Sequence, residues 1–250
     1  MPDVLLAGLD LPGLLALIAI SGLAGIIYGY AGFGSALIFM PLATVFVAPP
    51  LAVGAFALSA LASAVTILPE AWRKAERPAV LTILAAATIA AFPGVFILRE
   101  AATDALNWAV SGVVLATLFA LIAGLRYTSR PGRLSWLGVG AGVGFLGGST
   151  GLNGPMVVLF QLGGQDAPER SRANTIVVLT CSSFIFLPVM AVMGALPANA
   201  IPLGLVLLLP YAIGTRLGRA LFNPEHAGLY RSIAYIVIGA AAILGLPIWT

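Results

Sequence analysis

Gly29 to Pro41 reads GYAGFGSALIFMP, and Gly144 to Pro155 reads GFLGGSTGLNGP. Each is a glycine-rich run that ends in proline, set inside an otherwise apolar segment. The first lies within 11–47, well beyond the roughly 20 residues that one membrane-spanning helix needs. The second lies within 136–162. Clustered glycine in an apolar helix predicts a break. Non-helical backbone at membrane depth is tolerated only when it is buried in protein or lines a cavity. Both segments are therefore expected to be helical hairpins aimed at a cavity.

Composition sets the environment. The chain has 250 residues, 60% hydrophobic and 8% charged, where a soluble domain has about 25% charged. Mean hydropathy is +1.07. The expected fold class is an all-α integral membrane protein. Helices at 51–68, 78–98 and 105–125 follow the first hairpin. Helices at 173–193, 201–217 and 232–247 follow the second. Two halves result, 1–125 and 136–250, joined by a polar linker at 126–135.

Of the twelve Lys and Arg residues, nearly all fall in four short loops: Arg73, Lys74 and Arg77; Arg126, Arg130 and Arg133; Arg170 and Arg172; and Arg216, Arg219 and Arg231. Only Arg99 stands apart. The positive-inside rule makes these four loops cytoplasmic. The first hairpin then begins and ends outside and the second inside, so the halves have opposite orientations: an inverted repeat. Aligned on Pro41 and Pro155, Gly34 meets Gly148 and Ser35 meets Ser149; further on, Pro50 meets Pro168 and Gly94 meets Gly214.

Several function classes fall away. The basic residues are scattered between apolar helices, which argues for topology and against nucleic acid. One cysteine, Cys181, and one histidine, His226, cannot supply a metal or haem site. No cofactor motif, G-x-S-x-G or Walker sequence appears, so an enzyme or a primary pump is not expected. The N-terminal MPDVLLAGLD lacks the basic start of a signal peptide. Every carboxylate falls near a helix end or in a loop, which speaks against a carboxylate proton relay.

The breaks suit anion capture. Helix N-termini carry unpaired N–H groups and a positive dipole end, and glycine admits the ligand to the backbone. The candidate substrate-binding residues are Gly32, Gly34, Gly147, Gly148 and Gly151 for backbone approach, and Ser35, Ser149, Thr150 and Asn153 as donors. Tyr30, just before the first motif, and Asn174, early in a following helix, are further candidates. Small residues also permit close helix packing in lipid, so each glycine has two readings at this level. Arg172 and Arg216 read either as interfacial anchors or as an anion-attracting vestibule.

The paired motifs AGFGSALIFMP and GGSTGLNGP, each heading one half of the chain, resemble the sulfite exporter TauE/SafE family of membrane permeases. The resemblance covers nearly the whole chain. It implies transport of a small sulfur-containing anion, sulfite or an organosulfonate, across the plasma or bacterial inner membrane, with a passive anion channel or a carrier of another organic anion as alternatives. It is silent on oligomeric state.

Overall fold

A computed structural model describes residues 9–124, 132–163, 167–221, 227–246 and 248. Among them are twelve helices: α1 Leu11–Ala31, α2 Ser35–Ala43, α3 Pro49–Ala60, α4 Ser63–Thr66, α5 Leu68–Lys74, α6 Arg77–Glu100, α7 Thr103–Ala123, α8 Arg133–Thr150, α9 Gly154–Gly163, α10 Pro168–Val192, α11 Ala200–Ala220 and α12 Ala227–Leu244. Six stretches are long and apolar enough to cross a bilayer: α1, the α3–α4 stretch, α6, α7, α10 and α11. Large apolar side chains such as Ile89, Phe119, Val192 and Ile236 stand exposed on the outside. In water such a surface would promote association; in lipid it is the solvated face. The chain is an all-α, multi-pass membrane protein. Most of the 126–135 linker and His226 lie outside the described residues.

Each glycine-rich segment is two helices in series. α1 gives way to α2 over Gly32–Gly34, and α8 to α9 over Gly151–Asn153. The segment after α2 returns toward the start of α1: a Cβ at Gly13 would sit 3.5 Å from the Phe46 ring. Met156 of α9 likewise folds back on Gly142 of α8.

Two helix pairs form the frame, and both cross from one half to the other. α1 runs parallel to α11, and α8 runs parallel to α6. Gly25, Gly29, Gly214 and Gly218 bring α1 and α11 together, facing the carbonyls of Tyr211, Thr215, Gly22 and Ile26. Gly140, Gly144, Gly148 and Gly94 do the same for α8 and α6, facing the carbonyls of Ile83, Ala87, Ala91 and Phe145. Without side chains at these positions the backbones approach closely, which is how helices gain dispersion contact where lipid offers no hydrophobic drive. The end of α1, the starts of α6 and α10 and the end of α11 gather at one end of the bundle. There Arg172 Nη2 donates to the Gly29 carbonyl (2.8 Å), the Glu76 N–H donates to Asn174 Oδ1 (2.8 Å) and Arg219 Nη1 donates to the Thr66 carbonyl (2.9 Å).

Three sequence expectations are corrected. The helix expected at 51–68 is broken into α3, α4 and α5. The Ser59, Ser63 and Thr66 hydroxyls donate to the carbonyls of Phe56, Ala60 and Ala62, and tight three-residue bonds such as Ala62 N–H to Ser59 O tighten the turns. Hydroxyl back-bonding of this kind bends helices, and Pro69 starts the next one. Second, α10 begins at Pro168 rather than 173, because the extended Ala167 leads into proline at the first helical turn; Arg170 and Arg172 are helical, not loop residues. Third, α11 continues to Ala220, so Arg216 and Arg219 belong to its last turns.

The register between the halves also differs from the proline alignment. The left-handed residue that ends α1 is Gly32 and the one that ends α8 is Gly151, so Gly34 corresponds to Asn153 rather than to Gly148. The close-packing residues agree with this: Gly29 pairs with Gly148, Gly25 with Gly144, and Gly94 with Gly218 rather than Gly214. Ser21, whose Oγ donates to the Leu207 carbonyl at 3.0 Å, takes the place of Gly140.

Candidate functional site

The two breaks are built alike. Gly32 has φ 80° and its N–H donates to the Tyr28 carbonyl (2.8 Å). Gly151 has φ 74° and its N–H donates to the Gly147 carbonyl (3.0 Å). Both are helix-ending residues in the left-handed region, where an L side chain is strained. Gly34, at φ 93°, then restarts the chain as α2. Asn153 precedes α9 in the equivalent place. The first N–H groups of α2 and α9 have no partner within their own helices.

Both restarts open on one cavity in the interior. It is lined by Tyr28, Ser35, Phe56, Ala60, Ser63, Asn153, Leu179, Ser183 and Tyr211. Ser35 is the first residue of α2, and Asn153 immediately precedes α9. The lining residues come from both halves. Its floor is an aromatic row: Phe56 meets Tyr211 edge-on at 6.1 Å, and Tyr211 lies 6.2 Å from Tyr28. The Tyr28 hydroxyl lies 3.3 Å from the Ile176 carbonyl and 3.0 Å from Thr180 Oγ1. The Tyr211 hydroxyl sits against Ser35 and Ser63. Asn153 Nδ2 donates to Ser182 Oγ at 2.7 Å and, more weakly, to the Leu179 carbonyl at 3.4 Å. Ser183 is 3% exposed, and among the described residues its hydroxyl makes no hydrogen bond. Among the described residues no charged side chain lines the space. Its free volume for water centres is about 10 Å³, room for about one water molecule.

The predicted residues divide. Ser35 and Asn153 are brought together in the cavity wall. Gly32, Gly34 and Gly151 shape the breaks beside it. Gly148 packs on α6 instead, against the Ala91 carbonyl, and Gly147 packs on Phe186. Ser149 Oγ donates to the Phe145 carbonyl (2.8 Å) and Thr150 Oγ1 to the Leu146 carbonyl (2.8 Å), so both hydroxyl protons are committed to their own helix. Asn174 accepts the Glu76 N–H that opens α6 and is not in the wall. Tyr30 is buried beside Gly29, away from the lining set. Arg172 lies across the first break, its side chain against Gly32, and Arg216 is exposed.

Ser63, Ser183 and Tyr211 lie outside both glycine-rich motifs, yet they line the cavity. Each is a lone polar group inside an apolar run, the signal that an intramembrane polar residue carries. Tyr28 was visible as an aromatic next to the first motif.

A membrane bundle with two broken helices meeting at a shared polar cavity has the layout of a carrier. The family profile described as "Sulfite exporter TauE/SafE" matches residues 17–244, nearly the entire chain. The chain belongs to the TauE/SafE family. No curated protein and no solved structure matches it. Family membership makes the protein a membrane transporter of the sulfite-exporter type. The TauE/SafE match spans both glycine-rich breaks and every cavity-lining residue.

Proposed function

We propose that this protein is a secondary permease of the bacterial inner or plasma membrane for a small sulfur-containing anion, sulfite or an organosulfonate. The anion is held in the cavity where α2 and α9 begin. The observation that carries this reading is that Ser35 and Asn153, one from each break, line a single buried polar space. Desolvating an anion is costly unless polar groups replace its water. Here the N–H groups of two helix starts, the five serine and tyrosine hydroxyls of the wall (Tyr28, Ser35, Ser63, Ser183 and Tyr211) and the Asn153 amide surround the space, and those already bonded within the protein, such as Ser63 to the Ala60 carbonyl, must exchange that partner for the anion.

The cavity holds about one water molecule as it stands, so it must widen to take an anion. We read the two halves as an inverted repeat: α1 runs toward the Arg172–Arg219 end of the bundle and α8 runs away from it. Rocking one cross-packed pair, α1–α11 or α6–α8, against the other would open the cavity to each side in turn. The Arg172–Arg219 end is taken as cytoplasmic.

The test is ligand-induced stabilisation of the detergent-purified protein by sulfite, thiosulfate, methanesulfonate, sulfate and acetate. A ligand at a hundred times its Kd stabilises the native state by about 2.7 kcal/mol. A sulfur anion should raise the melting temperature, and Asn153→Ala and Ser35→Ala should each reduce the shift. If only acetate stabilises, the substrate is a carboxylate. If sulfur anions cross liposomes without saturation and without counterflow, the protein is a channel.

A further inference from the structure

We infer that the cavity accepts its anion only as a monoanion, hydrogen sulfite or a sulfonate, and rejects dianions such as sulfite itself or sulfate. This rests on the anion-permease reading above and adds the charge state of the substrate. Among the described residues the cavity wall contains Tyr28, Ser35, Ser63, Asn153, Ser183 and Tyr211 as its polar residues, and no Lys, Arg or His. Within the wall itself the positive ends are those of backbone N–H groups and neutral side-chain donors; Arg172, outside the wall, also acts on Tyr28. Each helix start is equivalent to about +0.5 of a charge. Two of them, α2 and α9, open on the cavity and together balance about one negative charge.

The cation at the first break is committed elsewhere. Arg172 Nη2 donates to the Gly29 carbonyl at 2.8 Å, in the last turn of α1. Its charge thus answers the negative end of that helix, the usual place for a cation, and it is not among the lining residues. The self-energy of burying an ion grows with the square of its charge, so a dianion costs about four times as much to desolvate as a monoanion. With compensation for about one charge, the second is unanswered.

The wall also suits a protonated ligand. Hydroxyl oxygens accept as well as donate, and Ser183, 3% exposed, keeps its oxygen uncommitted at the cavity. That hydroxyl can donate to a sulfonate oxygen or accept the O–H of hydrogen sulfite, so either monoanion satisfies it.

The experiment titrates binding against pH with the purified full-length protein. Thermal shifts are recorded for sulfite, for methanesulfonate (monoanionic throughout) and for sulfate (dianionic throughout), between pH 5.5 and 9. Methanesulfonate reports any change in the protein itself. Total sulfite should lose apparent affinity about tenfold per pH unit once hydrogen sulfite deprotonates, by proton linkage. Methanesulfonate should hold constant, and sulfate should be without effect. Sulfite that binds equally well at pH 9, or sulfate that stabilises as strongly as methanesulfonate, overturns monoanion selection while leaving the permease intact. If none of the three binds at any pH, the sulfur-anion reading falls, and this inference with it.

Discussion

Gly29→Ala should loosen the α1–α11 pair and cut transport together. A methyl group at Gly29 would overlap the Thr215 carbonyl oxygen and lie 2.8 Å from both Thr215 C and Cα. All three are backbone atoms of a regular helix and cannot swing aside. An ordinary carbon contact is about 3.5–4.0 Å, so the helices must part by more than half an ångström, breaking the Gly25, Gly214 and Gly218 contacts along the seam as well. Overpacking of this sort costs roughly 1–3 kcal/mol, offset by at most about 1 kcal/mol from the better helix propensity of alanine. The net expectation is a loss of about 1–2 kcal/mol. Gly138→Ala is the control: it lies on α8 with nothing within 4 Å of the added carbon and should be neutral or slightly stabilising. The assay is reversible denaturant unfolding in detergent followed by circular dichroism, paired with anion uptake into proteoliposomes. If Gly29→Ala proves as stable as Gly138→Ala, the close seam between α1 and α11 is refuted, and with it the cross-packing of the two halves.

Other outcomes follow from individual contacts. Asn174→Ala should cost about 1 kcal/mol, because it frees the Glu76 N–H at the start of α6, yet leave the anion-induced melting shift unchanged; loss of that shift would place Asn174 at the ligand after all. Ser149→Ala and Thr150→Ala should bind anion as the parent does, since both hydroxyl protons are held by their own helix, and a loss of binding measured by thermal shift would contradict that arrangement. Glu169→Gln should change unfolding stability by less than about 0.5 kcal/mol, because its contact with Lys74, 3.8 Å, is between exposed side chains.

The cross-packing gives the breaks a mechanical setting. Gly29 and Gly148, in the last turns of α1 and α8, pack against backbone of the neighbouring helices, Gly29 on Thr215 and Gly148 on Ala91. Each break begins within a turn of that anchor. Each break is thereby anchored on one side, and on the other side α2 or α9 opens on the cavity. Ser35 and Asn153, at the two helix starts, share that cavity wall.

Sequence by itself determined the membrane class, the helical content and the places where helices break. Those follow from quantities that are local in the chain: apolar length, the absence of charge, and glycine clusters that no continuous helix prefers. It also picked out Ser35 and Asn153, because polar groups beside a break are unusual in apolar surroundings. Tertiary structure decided the rest. Whether a glycine serves a ligand or a neighbouring helix depends on what stands across from it: Gly148 faces the Ala91 carbonyl, while Gly34, the left-handed residue that opens α2, faces the Ile27 and Ile238 side chains. Whether a hydroxyl is free depends on its rotamer and its partner: Ser149 and Thr150 donate to carbonyls of their own helix, and Ser183 lies at the cavity. Tyr211 and Ser63 reach the cavity only because α11 lies along α1 and because back-bonded hydroxyls break the chain after α3. Such contacts join residues far apart in the chain, and no local pattern encodes them.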